Sequence, residues 1–224
     1  MNIISIIFFC VSLYGFGLTF TFFLKNSSDY LERNIMRFAI GLGIFSVLST
    51  LFTTLRIPLI WWIFLLLSLI YPVFYLYKNK GLKINKLTLK KSTVFFMVVL
   101  LLFSFTLFMY VKGSFTYSYY EDGDPWRHAA AAKYISLEKT ALEPIKDIDV
   151  FQYIDPYPPS YDILLGILYQ VSSDLIWTVK FFNALIISLG IIFFYFFAKR
   201  FTRNSKKALF STFVLAMIPC YMSH

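Results

Sequence analysis

Apolar residues run almost unbroken through six stretches of this chain, at about 3–24, 36–55, 57–77, 93–111, 174–198 and 207–222, with polar residues gathered between them. A stretch of roughly 20 apolar residues crosses a ~30 Å hydrocarbon layer as an α-helix. The pattern therefore predicts an all-α, polytopic transmembrane protein of about six spans, the last of them short. The first begins MNIISIIFFC with no basic lead and no small-residue cleavage site behind it, which reads as a retained helix rather than a signal peptide. The chain divides into four amino-terminal helices (1–111), a long polar segment (112–173) and two further helices (174–224).

The polar segment is far longer than a connector needs, and loops of that length are commonly functional. Its pattern predicts order. Asp124 followed by Pro125 reads as an N-cap and first helical residue. Trp126, Ala130, Tyr134, Leu137 and Ala141 then recur at helical spacing, which predicts an amphipathic helix lying on the membrane or on the other spans. A turn-rich acidic patch follows from Glu143 to Pro159, with Asp147, Asp149, Asp155 and the run YIDPYPP. Beyond it YDILLGILYQVS, Tyr161–Ser172, is apolar but only about 18 Å long as a helix, too short to cross. It is expected to be re-entrant or surface-lying, so the segment carries two such helices joined by an acidic turn.

Charge assigns sides. Fourteen of the 21 Lys and Arg residues fall in or at the edge of loops 25–35, 78–92 and 199–206. These loops alternate correctly if all three are cytoplasmic. The amino terminus and segment 112–173 are then extracytoplasmic, in a multi-pass protein of the cell membrane. Ten of the 12 acidic residues lie in or beside that outer segment. The formal charge of +9 thus reflects topology, with weak attraction to anionic membrane lipids as a by-product. Composition agrees with the membrane class: 58% of residues are hydrophobic and 15% charged, against about 25% charged in soluble domains. The 27 Phe and 16 Tyr suit lipid-facing and interfacial helices. Basic residues are not interleaved with aromatics on a polar surface, so no nucleic-acid partner is expected. No glycine loop for phosphates and no haem, flavin or nucleotide motif is present. Cys10 and Cys220 lie inside apolar runs and make no disulfide or metal framework.

The chemistry-bearing pattern is EDGDPWRHAAAAKY, residues 121–134. A helix amino terminus favours carboxylates, so capping alone accounts for one acid. Glu121, Asp122 and Asp124 crowd within four residues, which raises their proton affinity unless a cation or basic group offsets it. Arg127 and His128 are near enough to help, and His128 stands at i+4 from Asp124, so both can face one point. Asp124, Asp122 and His128 are thus candidate ligands for a divalent ion, Mg2+ or Mn2+, and His128 reads equally as a plain helix residue. Lys180 stands a turn or two inside its span, where an ionisable residue marks a candidate site or snorkels to the headgroups.

These residues resemble the GT-C membrane glycosyltransferases, whose relatives include the catalytic subunit of oligosaccharyltransferase and the protein O-mannosyltransferases. The resemblance covers about residues 112–224. It rests on Asp124-Pro125-Trp126-Arg127 and Tyr157-Pro158-Pro159-Ser160-Tyr161, then on Lys180–Leu185 and Ala198–Arg203, and last on Pro219–His224, in that order. Glu32-Arg33 before a glycine-containing span is similar to an opening seen in prokaryotic polyprenyl-dependent enzymes of this type. The resemblance implies transfer of a sugar from a polyprenyl-phosphate-linked donor to a protein, lipid or glycan acceptor on the outer face. It implies Asp124 as the catalytic carboxylate or metal ligand, Asp122 as its support or rival, and Arg127, Lys180 and Tyr157 as substrate-binding residues. The second acidic motif of the family would fall beyond His224, and family members are about twice this long. The expectation is therefore an amino-terminal fragment of a larger transferase. Two other classes stay open: a non-catalytic membrane assembly or scaffold protein, and a transporter. A transporter wants spans broken near the midplane, whereas here Gly15-Gly17 and Gly41-Gly43 are the only clusters and suit helix packing.

Overall fold

A computed structural model describes residues 2–22, 29–79, 91–142 and 159–218. The described chain is all-helical: α1 (Asn2–Thr21), α2 (Tyr30–Thr54), α3 (Trp61–Asn79), α4 (Lys91–Ser114), α5 (Gly123–Glu138), α6 (Ser160–Ser172), α7 (Leu175–Thr202) and α8 (Ser205–Met217). Four helices, α1, α2, α4 and α7, are long and apolar enough to cross a membrane. The apolar part of α3, Trp61–Tyr77, is shorter, and α8 has 13 residues. The chain forms two compact units.

The first unit holds α1, α3, α5, α6, the bulk of α2 and the first turn of α7. Its helices approach closely because glycines let them. A Cβ on Gly41 would stand 1.8 Å from the Leu13 carbonyl oxygen, one on Gly17 1.8 Å from the Arg37 carbonyl oxygen, and one on Gly15 2.3 Å from the Ser68 carbonyl oxygen. Such small-residue contacts are what brings helices together where no hydrophobic force between them operates. Gly43 meets nothing within 4 Å, so three of the four clustered glycines serve packing. Phe45 and Phe64 fill the space beyond, with ring centroids 4.9 Å apart.

Helix α3 begins four residues later than the apolar pattern suggests. Arg56 takes a left-handed turn, φ 57°, and Pro58 follows it. The orphan N–H of Trp61 is met by the Gln170 side chain of α6, at 3.2 Å, while Gln170 donates to the Leu59 carbonyl at 2.8 Å. One amide thus satisfies the start of one helix from the middle of another.

In the second unit α4 packs against α8, and Phe96 against Phe196 of α7. This unit also contains Asp29–Glu32. Asp29 caps α2, its Oδ1 accepting from the Leu31 N–H at 3.1 Å, so α2 starts six residues before the apolar run. The polar extension is neutralised: Glu32 is buried and accepts from Arg200 Nε at 2.7 Å and Lys199 Nζ at 3.2 Å, and Lys199 also pairs with Asp29 at 3.6 Å. The first turn of α2 and the last turn of α7 therefore meet. Glu32→Ala leaves two cations facing one another without their shared carboxylate. It is expected to cost roughly 2 kcal/mol, the scale of a lost charged hydrogen bond discounted for the exposure of Arg200, read as a lower midpoint of thermal unfolding in detergent.

Candidate functional site on α5 and α6

The acidic run begins α5, but the register differs from the sequence expectation. Asp122, not Asp124, is the N-cap, with extended backbone and its Oδ1 accepting from the Gly123 N–H at 2.6 Å. Pro125 stands third in the helix rather than first. The whole first turn lacks intrahelical acceptors for its N–H groups, so proline is tolerated at any of these positions. Asp124 lies in that first turn, 78% exposed, and pairs with Arg127 at 3.6 Å.

The buried face of α5 also departs from the expected stripe. Ala129, Ala131, Ala132, Tyr134 and Ile135 are buried, whereas Trp126 and Leu137 are exposed. Tyr134 alone of the predicted set is fully packed within the helix, and Ala141, beyond its end, is also buried. The face is set by α6, which lies directly against α5. Gly166 of α6 makes the contact close: a Cβ there would stand 2.9 Å from the Ala132 carbonyl oxygen and 3.0 Å from the Ile135 side chain. Helix α6 runs Ser160–Ser172, within one residue of the expected Tyr161–Ser172, and buries Ile163, Leu164, Leu165, Ile167 and Leu168. It ends on Ser173 in the left-handed region, and Asp174 then caps α7 by accepting from the Trp177 N–H at 3.0 Å.

The residue that composition and motif reading passed over is Asp162. Its side chain is 7% exposed, and its Oδ1 sits 2.7 Å from Nδ1 of His128, itself 31% exposed. The Tyr161 ring meets the imidazole edge-on, 5.1 Å between centroids. Hydrogen bonding to Asp162 raises the His128 pKa above the ordinary imidazole value; burial opposes the rise, and the charges of Asp162 and Asp124 add to it. Burial pushes the Tyr161 and Tyr120 phenols upward. Tyr120 donates to the Leu175 carbonyl at 3.3 Å and packs edge-on against Trp126. A carboxylate inside the apolar run YDILLGILYQVS was the available signal, because an acid at such a position needs a partner.

His128 thus turns Nδ1 to Asp162. The imidazole remains in the electrostatic range of Asp124. The carboxylates of Asp122 and Asp124 are hard oxygen donors suited to Mg2+ or Mn2+. Among the described residues no group of three or more His, Cys, Asp and Glu converges, so these residues fit only part of such a cage. Lys180 belongs to the second unit, where its ammonium donates to the Tyr117 carbonyl at 2.7 Å and lies 5.6 Å from the Phe115 ring centre. It is a buried, engaged lysine. Tyr157, the acidic turn Glu143–Pro158 and the Pro219–His224 motif lie outside the described residues.

No family model, curated protein or solved structure matches this chain.

Proposed function

We propose that this chain belongs to a membrane glycosyltransferase that moves a sugar from a polyprenyl-phosphate-linked donor to an acceptor on the outer face, and that Asp124 is its catalytic base. The observation that carries the reading is the exposed acidic start of α5, held on a helix locked to α6 by the His128–Asp162 bond. A carboxylate used as a general base must be reachable by the acceptor yet fixed in direction. Asp124 meets the first need by its exposure, and the second rests on the helix that carries it, which the His128–Asp162 bond holds to α6.

In the proposed reaction the acceptor oxygen or nitrogen attacks the anomeric carbon of the sugar and gives its proton to Asp124. The bond from that carbon to the phosphate oxygen breaks, and the polyprenyl phosphate leaves with the electron pair. Asp122 holds the helix start, and Arg127 is the proposed cationic partner of the donor phosphate. A Mg2+ or Mn2+ ion bound at Asp122 and Asp124 would stabilise the departing phosphate.

The proposed topology is six crossings, with loops 25–35, 78–92 and 199–206 on the cytoplasmic side and 112–173 outside. It is supported by the ion pairs of Asp29 and Glu32 with Lys199 and Arg200, which join two of the three basic loops at one end.

The test is sugar transfer by the full chain in native membranes supplied with a panel of radiolabelled polyprenyl-phosphate sugars. Asp124→Asn is expected to lower transfer about 100-fold or more, the scale of a removed general base. Glu138→Gln, at the other end of the helix, is expected to leave it unchanged. Transfer by Asp124→Asn at the unsubstituted rate removes Asp124 from the chemistry. If no sugar in the panel is transferred, the scaffold reading takes precedence.

A further inference from the structure

A second site lies in the first unit, on α1, α2 and α3. A groove of about 400 Å³ runs among α1, α2 and α3, lined by Cys10, Val11, Tyr14, Gly15, Phe38, Leu69 and Pro72. It is apolar except for Tyr14. The Tyr14 hydroxyl donates to Asn34 Oδ1 at 2.8 Å and accepts from Arg37 Nη1 at 3.4 Å. Arg37 also donates from Nη1 to Asn34 Oδ1 at 3.1 Å and from Nε to Thr21 Oγ1 at 3.2 Å. Every one of these acceptors is neutral. The ion pairs found among the described residues involve other cations.

A guanidinium beside apolar helix surface, solvated by three neutral oxygens, keeps its full positive charge. Its hydrogen bonds to described residues engage Nε and Nη1, and the five N–H donors of a guanidinium form a planar fork whose geometry suits phosphate oxygens. The fork is also held in place. The Arg37 backbone is pressed against Gly17, and the side chain is braced by α1 through Tyr14 and Thr21. The groove wall includes Tyr14 and Phe38, and Arg37, next to Phe38 in sequence and bonded to the Tyr14 hydroxyl, adjoins it with no acidic partner among the described residues; an apolar groove beside such a cation is complementary to an acyl chain joined to an anionic headgroup.

We propose that this groove binds an anionic phospholipid, with its phosphate on Arg37 and one acyl chain against Phe38, Leu69 and Pro72. The site is independent of the transferase reading.

The experiment is native mass spectrometry of the full chain in a neutral detergent, titrated with phosphatidylglycerol or with phosphatidylcholine of the same chains. Phosphatidylglycerol is expected to saturate at one molecule per chain, with at least fivefold preference. Arg37→Gln is expected to abolish that preference, and Arg37→Lys to keep part of it. Leu69→Trp fills the groove with Arg37 intact and is expected to lose the lipid too, so the test stands even if Arg37→Gln fails to fold. Equal binding of the two lipids overturns the proposal, as does phosphatidylglycerol binding unchanged in both Arg37→Gln and Leu69→Trp. Displacement of phosphatidylglycerol by an equimolar polyprenyl phosphate assigns the groove to that lipid instead, and release of lipid on dimer formation assigns it to a second copy; either result also overturns it.

Discussion

Gly41→Ala is expected to lower the stability of the first unit by about 3 kcal/mol or more, the upper end of overpacking. The added methyl would meet the Leu13 carbonyl oxygen at 1.8 Å, its carbon at 2.7 Å and the Gly17 nitrogen at 3.1 Å. All three are backbone atoms, so no side chain can swing aside; α1 and α2 must separate. Separation would also open the Gly17–Arg37 contact. Gly43→Ala, two residues away on the same helix, meets nothing within 4 Å. It is expected to be neutral or slightly stabilising, because glycine inside a helix costs about 0.5–1 kcal/mol relative to alanine. Thermal unfolding of the two variants in one detergent decides the matter. Equal midpoints would mean that α1 and α2 are not packed through this glycine.

Asp162→Ala is expected to cost roughly 2 kcal/mol, the scale of a hydrogen bond to a charged group, and to abolish most of the pH dependence of stability near neutrality. The sign follows from His128. Its pKa in the folded protein is raised above the ordinary imidazole value of about 6.5. The protonated form is therefore favoured by folding. Its contribution is fully present below about pH 6.5 and is lost as pH rises through the folded value. Unfolding midpoints of the unsubstituted protein should thus fall as pH rises above about 6.5. Asp162→Asn keeps the shape and an acceptor oxygen while removing the charge, so it should flatten that slope at smaller cost. A slope unchanged in Asp162→Asn would place its origin in groups other than this pair.

The same pair bears on the proposed chemistry through position rather than contact. His128 follows Asp124 by one helical turn, and its bond to Asp162 pins α5 to α6. Loss of the pin is expected to disturb the direction of Asp124 without altering its charge. A variant at Asp162 that keeps its fold but loses transfer would therefore mark a positioning role.

Much of the architecture is legible in the sequence. Unbroken apolar runs of about 20 residues mark α1, α2, α4 and α7, because a helix that long and that apolar has few alternatives in water or in lipid. The bounds of α6 were equally clear, since its apolar run is fenced by prolines on one side and by Ser173-Asp174 on the other. Helix bounds were misread where polar residues continue a helix past the bilayer. Glu32 and Lys199 lie outside the apolar runs, yet they are helical because they neutralise one another across 167 positions of sequence.

Within the site, the acidic start of α5 could be read locally, since Asp, Gly, Asp and Pro in sequence all favour a helix beginning. Which aspartate caps it could not, because the first turn accepts proline at several positions. Chain order alone determined that this is a helical protein with membrane-length apolar segments, basic loops and one acidic helix start. The tertiary structure alone decided that His128 answers to Asp162, 34 residues away, and that Arg37 is braced by α1 beside a groove. Helix periodicity places a residue on a face but does not say which helix will cover that face. Partners for a buried charge are chosen by packing, and packing joins residues that the chain keeps far apart.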